Sequence, residues 1–152
     1  ALGDNTPLRG WKATLYEGGI RVPAAIQWPG KIEPGRVVDA PTCVIDWAPT
    51  LIRLAGGQVD PAWKLEGIDL WPLITEDQSP KPRLLYWNHG GSVRALRDGD
   101  WKLILHRNGQ MELFNLANDP NEEHDLAKDQ PKQVEKLRQE LDQRRQEMES
   151  SK

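Results

Sequence analysis

One cysteine, Cys43, is all the disulfide and thiolate chemistry this 152-residue chain carries. That excludes an internal disulfide and any multi-cysteine zinc site. A basic excess is missing too. Twenty Lys and Arg face twenty-three Asp and Glu, for a net charge of −3, whereas nucleic-acid binding leaves a basic footprint. No apolar run approaches the ~20 residues that span a bilayer. Neither nucleic acid nor membrane is therefore expected as a partner. Phe and Tyr are scarce, at one and two residues, so the seven Trp must supply much of the bulky apolar surface of a core. An initiator methionine is also absent: the first residue is Ala1, and the methionines are Met111 and Met148. With no signal peptide in view either, the chain reads as processed, excised or incompletely represented.

What the chain does have is punctuation. Twelve Pro and thirteen Gly, mostly before residue 100, mark a loop-rich first part. The length suits one compact domain or two small lobes. The segment Pro7-Leu8-Arg9-Gly10-Trp11-Lys12-Ala13-Thr14-Leu15-Tyr16-Glu17-Gly18-Gly19-Ile20-Arg21-Val22-Pro23 stands out. It places two basic groups on a glycine-punctuated loop, followed by an acid, a glycine pair and another arginine. That is the composition of a backbone held close to an anionic group.

The pattern beyond it predicts elements. Ile20 to Trp28 is apolar on both parities, as in a strand buried on both faces, and Pro29-Gly30 ends it. Val37 and Val38 suit a short extended piece. From Val44 to Ala55 apolar residues recur at helical spacing, with Pro49 in the first turn and a Gly56-Gly57 stop. Gln58 to Pro82 reads as a long irregular connection. Four short runs follow: Leu84–Trp87, Ser92–Arg97, Trp101–His106 and Met111–Leu116. They are separated by the turn signals His89-Gly90-Gly91, Asp98-Gly99 and Asn108-Gly109, of which Asp-Gly and Asn-Gly are strong hairpin signals. The expected fold is α+β, with a small antiparallel sheet of three or four strands packed by a C-terminal helix. That helix runs from about Gln130 to Met148, with Asp129 as candidate N-cap and one stripe of Val134, Leu137, Leu141 and Met148.

Several blocks, in order, resemble the C-terminal part of sulfatases in the alkaline-phosphatase-like superfamily. Pro7–Pro23 resembles the family's lysine loop, and Trp28-Pro29-Gly30-Lys31-Ile32 the turn after it. Val44–Gly56 resembles the following helix. Arg94–Leu103, and Glu112-Leu113-Phe114-Asn115-Leu116 with Asp119-Pro120, resemble the C-terminal sheet. The resemblance divides the chain into residues 1–78, the last elements of a large α/β sulfatase domain, and 79–152, a small sheet subdomain with the final helix. It implies hydrolysis of aryl or carbohydrate sulfate esters, with a formylglycine nucleophile made in a Cys/Ser-x-Pro-x-Arg motif and a bound Ca²⁺. A fixed cation acts strongly on charge that develops in a closed site.

Measured against that chemistry, the chain is incomplete. Cys43 is followed by Val44, Ile45, Asp46 and Trp47, so the nucleophile motif is absent, and a buried structural cysteine is the reading preferred. Ser79-Pro80-Lys81-Pro82-Arg83 has its prolines at the wrong offsets. Lys12 matches the family's sulfate-binding lysine; the competing reading is a solvated loop lysine. Trp11 occupies a position often Gly in the family, where a ring would narrow the pocket or stack on substrate. Arg9, Glu17 and Arg21 read as an ion-pair network holding the loop. Asp4-Asn5 carries oxygen ligands suited to Ca²⁺, yet its spacing from Lys12 and the following Thr6 favour a turn role. His89 resembles a histidine that some carbohydrate-acting members present to substrate; an exposed loop histidine is the alternative. The three histidines show no metal-ligand spacing.

The expectation is thus a segment that supplies Lys12, with His89, to a sulfate ester but has no nucleophile, and that is inactive alone. Its partners are the substrate and the remaining N-terminal part of the enzyme, and family resemblance favours export. The rivals are a non-catalytic binding or assembly module that keeps a sulfatase tail, and part of a related phosphoester hydrolase.

Overall fold

The computed structural model describes residues 3–76 and 78–150. The chain forms two compact units: Ala1–Pro23 with Pro82–Lys152, and Ala24–Lys81. Residues 1–23 thus group with the sheet, where the division at 78/79 kept them with the segment that follows. The reason is packing, since Leu15, Tyr16 and Ile20 join the apolar cluster on one sheet face.

The first unit is built on a four-stranded antiparallel meander, β1 (Leu84–His89), β2 (Val93–Asp98), β3 (Trp101–Leu105) and β4 (Met111–Asn115), in the order β1-β2-β3-β4. The hairpin signals fall where the chain reverses. Gly90, Gly91, Gly99 and Gly109 all adopt left-handed φ values between +59° and +83°, which cost a glycine little. Register fixes the two faces. Trp87 opposes Ala95, Ala95 opposes Ile104, and Lys102 opposes Phe114. Side chains alternate along a strand, so Trp87, His89, Val93, Ala95, Lys102, Ile104, Glu112 and Phe114 share one face. Leu96, Leu103 and Leu113 lie on the other.

That second face is covered by α4 (Pro131–Ser150) through Val134, Leu137 and Leu141. The Gln130 carbonyl accepts the first helical hydrogen bonds, from the Gln133 and Val134 amides. Gln130 is therefore the cap and Pro131 the first helical residue, one position later than the Asp129 cap expected. Met148 departs from the predicted stripe and is 48% exposed. Twenty helical residues run about 30 Å, while five-residue strands run about 17 Å. The last turns overhang the sheet.

A one-turn helix, α1 (Glu17–Ile20), closes the N-terminal loop against the opposite face. Its two glycines are needed for close approach, not for unusual backbone angles. A Cβ on Gly18 would lie 2.5 Å from the Gly10 carbonyl oxygen and 2.6 Å from that of Arg9; one on Gly19 would meet the Trp11 carbonyl oxygen at 2.6 Å.

The second unit holds α2 (Trp47–Leu54), preceded by a 3-10 turn at Val44–Asp46, and α3 (Trp71–Thr75), with another 3-10 turn at Pro61–Trp63 between them. Gly56, at φ +80°, stops α2 as expected. The connection from 58 onward is anchored by two buried polar side chains. Asp46 Oδ2 accepts the Cys43 amide and Oδ1 the Ile68 amide, while Thr50 Oγ1 accepts the Leu70 amide. Gly67 has no room for a side chain, because a Cβ would collide with the Ile45 carbonyl.

Two expectations fail in this region. Ile20 ends α1, and residues 21–28 form no strand; Val22 is 76% exposed and Ile26 45%. A strand exists only beside a partner, and no described segment pairs with this one. Val37 and Val38 likewise carry no regular structure.

Candidate functional site

The lysine loop is closed on itself before it meets the sheet. The Gly18 amide donates to the Arg9 carbonyl at 2.8 Å, and the Asn5 side-chain amide donates to the Gly18 carbonyl at 2.9 Å. Within the loop, Trp11 to Thr14 is a tight turn in which the Thr14 amide donates to the Trp11 carbonyl at 3.0 Å. Thr14 Oγ1 reinforces it by donating to the same carbonyl at 2.8 Å. Lys12 and Ala13 form the tip. Ala13 holds φ +74°, a left-handed value that costs a side-chain-bearing residue about 1–3 kcal/mol. The turn leaves Lys12 exposed, and no described residue forms a hydrogen bond or ion pair with its ammonium. Trp11 beside it is 61% exposed.

Beneath the exposed tip the loop is clamped to the sheet by charge. Lys102, on β3, is fully buried, with Nζ 2.8 Å from Glu17 Oε1 and 2.7 Å from Glu122 Oε1. Glu122 Oε2 accepts the Glu17 amide at 2.6 Å. Burial pushes the Glu122 carboxyl above its ordinary range, and the Lys102 ammonium pulls it back only in part.

A second knot lies alongside. The Arg9 guanidinium stacks 4.1 Å from the Tyr16 ring centre, donates to the Glu122 carbonyl at 2.9 Å and pairs with Glu112 Oε1 at 3.3 Å. Glu112 Oε2 also accepts the Tyr16 hydroxyl at 2.5 Å and contacts His106 Nε2 at 2.6 Å. Burial, aided by the hydrogen bond to Glu112, raises the Tyr16 phenol to about 12.

Of the loop residues named from sequence, Arg9 and Glu17 hold the loop by ion pairs. Arg21 does not: its side chain is exposed and pairs with no described residue. His89 ends β1, exposed, on the same sheet face as Trp87 and Val93, against which the loop packs. One sheet face therefore carries both Lys12's loop and His89. His106 sits at the end of β3, and His124 is exposed in the turn at 119–125.

Asp4 and Asn5 serve the loop. Asp4 Oδ1 accepts the Thr6 amide at 2.9 Å and also the Thr6 hydroxyl, while Asn5 spends its amide on the Gly10 and Gly18 carbonyls. Ca²⁺ requires six to eight oxygen ligands, and the described residues hold no group of three or more His, Cys, Asp or Glu that could ligate a metal. Asp4 and Asn5 by themselves do not fit such a site. Cys43 is half-buried at the start of the 3-10 turn, less enclosed than the buried position expected.

Lys102, Glu112 and Glu122 were not anticipated. For Lys102 and Glu112 the runs around them held the signal. Lys102 and Glu112 sit in runs that bury both faces of their strands, and a charge at such a position demands a partner.

Residues 9–151 match the family described as "N-sulphoglucosamine sulphohydrolase, C-terminal". Arylsulfatase J of Mus musculus is 31% identical over 192 aligned residues, spanning 94% of this chain and 32% of its own length. Steryl-sulfatase of Mus musculus is 44% identical over 96 residues, spanning 62% of this chain and 15% of its own. The crystal structure of Ps i-CgsB superposes with a TM-score of 0.81 at 29% identity, over 92% of this chain and 32% of that one. Its complex with k-i-k-neocarrahexaose gives 0.80. The chain spans a third or less of the length of each of these relatives. By the match over nearly its whole length, this chain belongs to the sulfatases, as a member of their C-terminal domain family.

Proposed function

We propose that this chain is the C-terminal portion of an enzyme that hydrolyses aryl or carbohydrate sulfate esters, and that it supplies the cation that receives the sulfate. The observation that carries the proposal is Lys12. Its ammonium is exposed at the tip of a turn whose backbone is fixed from beneath, and it has no partner among the described residues. In sulfate-ester hydrolysis a nucleophile bonds to sulfur, the S–O bond to the alcohol or phenol breaks, and the ester oxygen leaves with the electron pair. The other sulfate oxygens stay negative throughout. An ammonium beside them stabilises that charge. On this reading Trp11 offers a ring face to an aryl or sugar ring, and His89, exposed at the end of β1, contacts the substrate.

The nucleophile does not come from this chain, since Cys43 lacks the Pro and Arg of the formylglycine motif. On this reading formylglycine and Ca²⁺ belong to the preceding N-terminal part of the enzyme, and the whole protein is exported. No described helix is long and apolar enough to cross a membrane.

The test uses the longer protein that carries this chain, assayed on a chromogenic sulfate ester. Lys12→Ala is expected to lower kcat/KM about a hundred- to a thousandfold, and the 152-residue chain alone to give no turnover. Unchanged kcat/KM in the variant, or turnover by the chain alone, contradicts the proposal. Faster turnover of the matching phosphate ester by the longer protein would point instead to a phosphoester hydrolase.

A further inference from the structure

No described residue holds the Lys12 ammonium, so what the structure fixes is the backbone of residues 9–19, from which its flexible stem projects. Both ends of that loop are tied to the same few groups. At one end, the Arg9 guanidinium reaches the Glu122 carbonyl at 2.9 Å and Glu112 Oε1 at 3.3 Å. At the other, the Glu17 carboxylate meets Lys102 at 2.8 Å, and the Glu17 amide donates to Glu122 Oε2 at 2.6 Å. Glu122 therefore touches both ends. It does so from a turn folded by Asp119, whose carboxylate accepts the Glu123 and His124 amides.

This is not the arrangement that stability alone selects. A buried ammonium shared by two carboxylates costs desolvation that well-packed apolar residues of similar size avoid. Glu122 also sits at φ +59°, a strained value for a side-chain-bearing residue. Apolar packing is non-directional, whereas charge-assisted hydrogen bonds fix distance and angle. What these groups supply is direction.

Resting on the proposed role of Lys12, we infer that Lys102, Glu122 and Arg9 are positioning residues: they act on the sulfate only through Lys12. The C-terminal sheet then takes part in catalysis without touching substrate at these positions, by holding the lysine loop at a set height and angle.

A double-mutant cycle in the longer protein tests this. Arg9→Lys keeps the charge but loses the fork and the stack on Tyr16. Glu122→Gln keeps the shape and loses the charge. Each is expected to lower kcat/KM on a chromogenic sulfate ester about tenfold when Lys12 is present, and less than about twofold in the Lys12→Ala background. Thermal midpoints of all variants are measured alongside. A purely structural role lowers activity by the same factor in both backgrounds, and that result overturns the inference. So does the absence of any loss with Lys12 present. Lys102→Met is the harsher probe, because it strands two buried carboxylates; if it does not fold, the Arg9→Lys cycle decides. Should Lys12→Ala alone leave kcat/KM unchanged, the proposed function falls and this inference with it. A large Lys12→Ala effect with additive cycles overturns the inference alone.

Discussion

Glu112 accepts from two donors at once, the Tyr16 hydroxyl and the Arg9 guanidinium, and lies 2.6 Å from His106 Nε2. That convergence governs Tyr16. Its folded pKa, about 12 through burial and Glu112, lies above the unfolded value of about 10. The neutral phenol's contribution to stability is thus complete below about pH 10 and is lost as pH rises from about 10 to 12. An ultraviolet phenolate titration of the native chain, compared with Tyr16→Phe, checks this. The step that the variant removes is expected near pH 12; a step near pH 10 contradicts it. At this scale legibility followed distance along the chain. The closed loop around Lys12 was readable because its turn, glycines and acid are contiguous. The Lys102–Glu17 contact joins residues 85 positions apart, and no local pattern encodes such a pair. Arg21 shows the converse error, where adjacency to the loop suggested an ion pair that the fold does not make.

Among the elements, the sheet was the most readable, because each strand boundary carries its own turn chemistry. Gly99 and Gly109 supply the left-handed backbone at two of the reversals. The helix α4 was readable in its stripe but not in its length of contact, since the extent of the sheet beneath it is a tertiary fact. Leu137, fully buried against Leu96, Leu103 and Leu113, should therefore differ sharply from Met148. Leu137→Ala is expected to destabilise the protein by about 2–5 kcal/mol, and Met148→Ala by less than about 0.5 kcal/mol. Urea denaturation checks both, and equal losses would contradict the packing described. The segment from Ile20 to Trp28 has a strand's composition without a strand's neighbour. Pairing partners are the part of a strand that its own residues cannot encode.

As a whole molecule the chain is, on the function proposed, one wall of a site. It spans 15% of the murine steryl-sulfatase and 32% of Ps i-CgsB, and it carries no formylglycine motif. Its own contribution is a cation on a locked turn, with an aromatic ring beside it and a histidine on the same sheet face. The account stands or falls on whether that cation meets the sulfate. Inhibition of the longer enzyme by inorganic sulfate, measured with and without Lys12→Ala, asks this without depending on the leaving group or on the ring that carries it. A lost charge-assisted contact should raise the sulfate inhibition constant about tenfold or more. An inhibition constant unchanged within about twofold, against an assay scatter well below the tenfold that 1.4 kcal/mol represents, would contradict it.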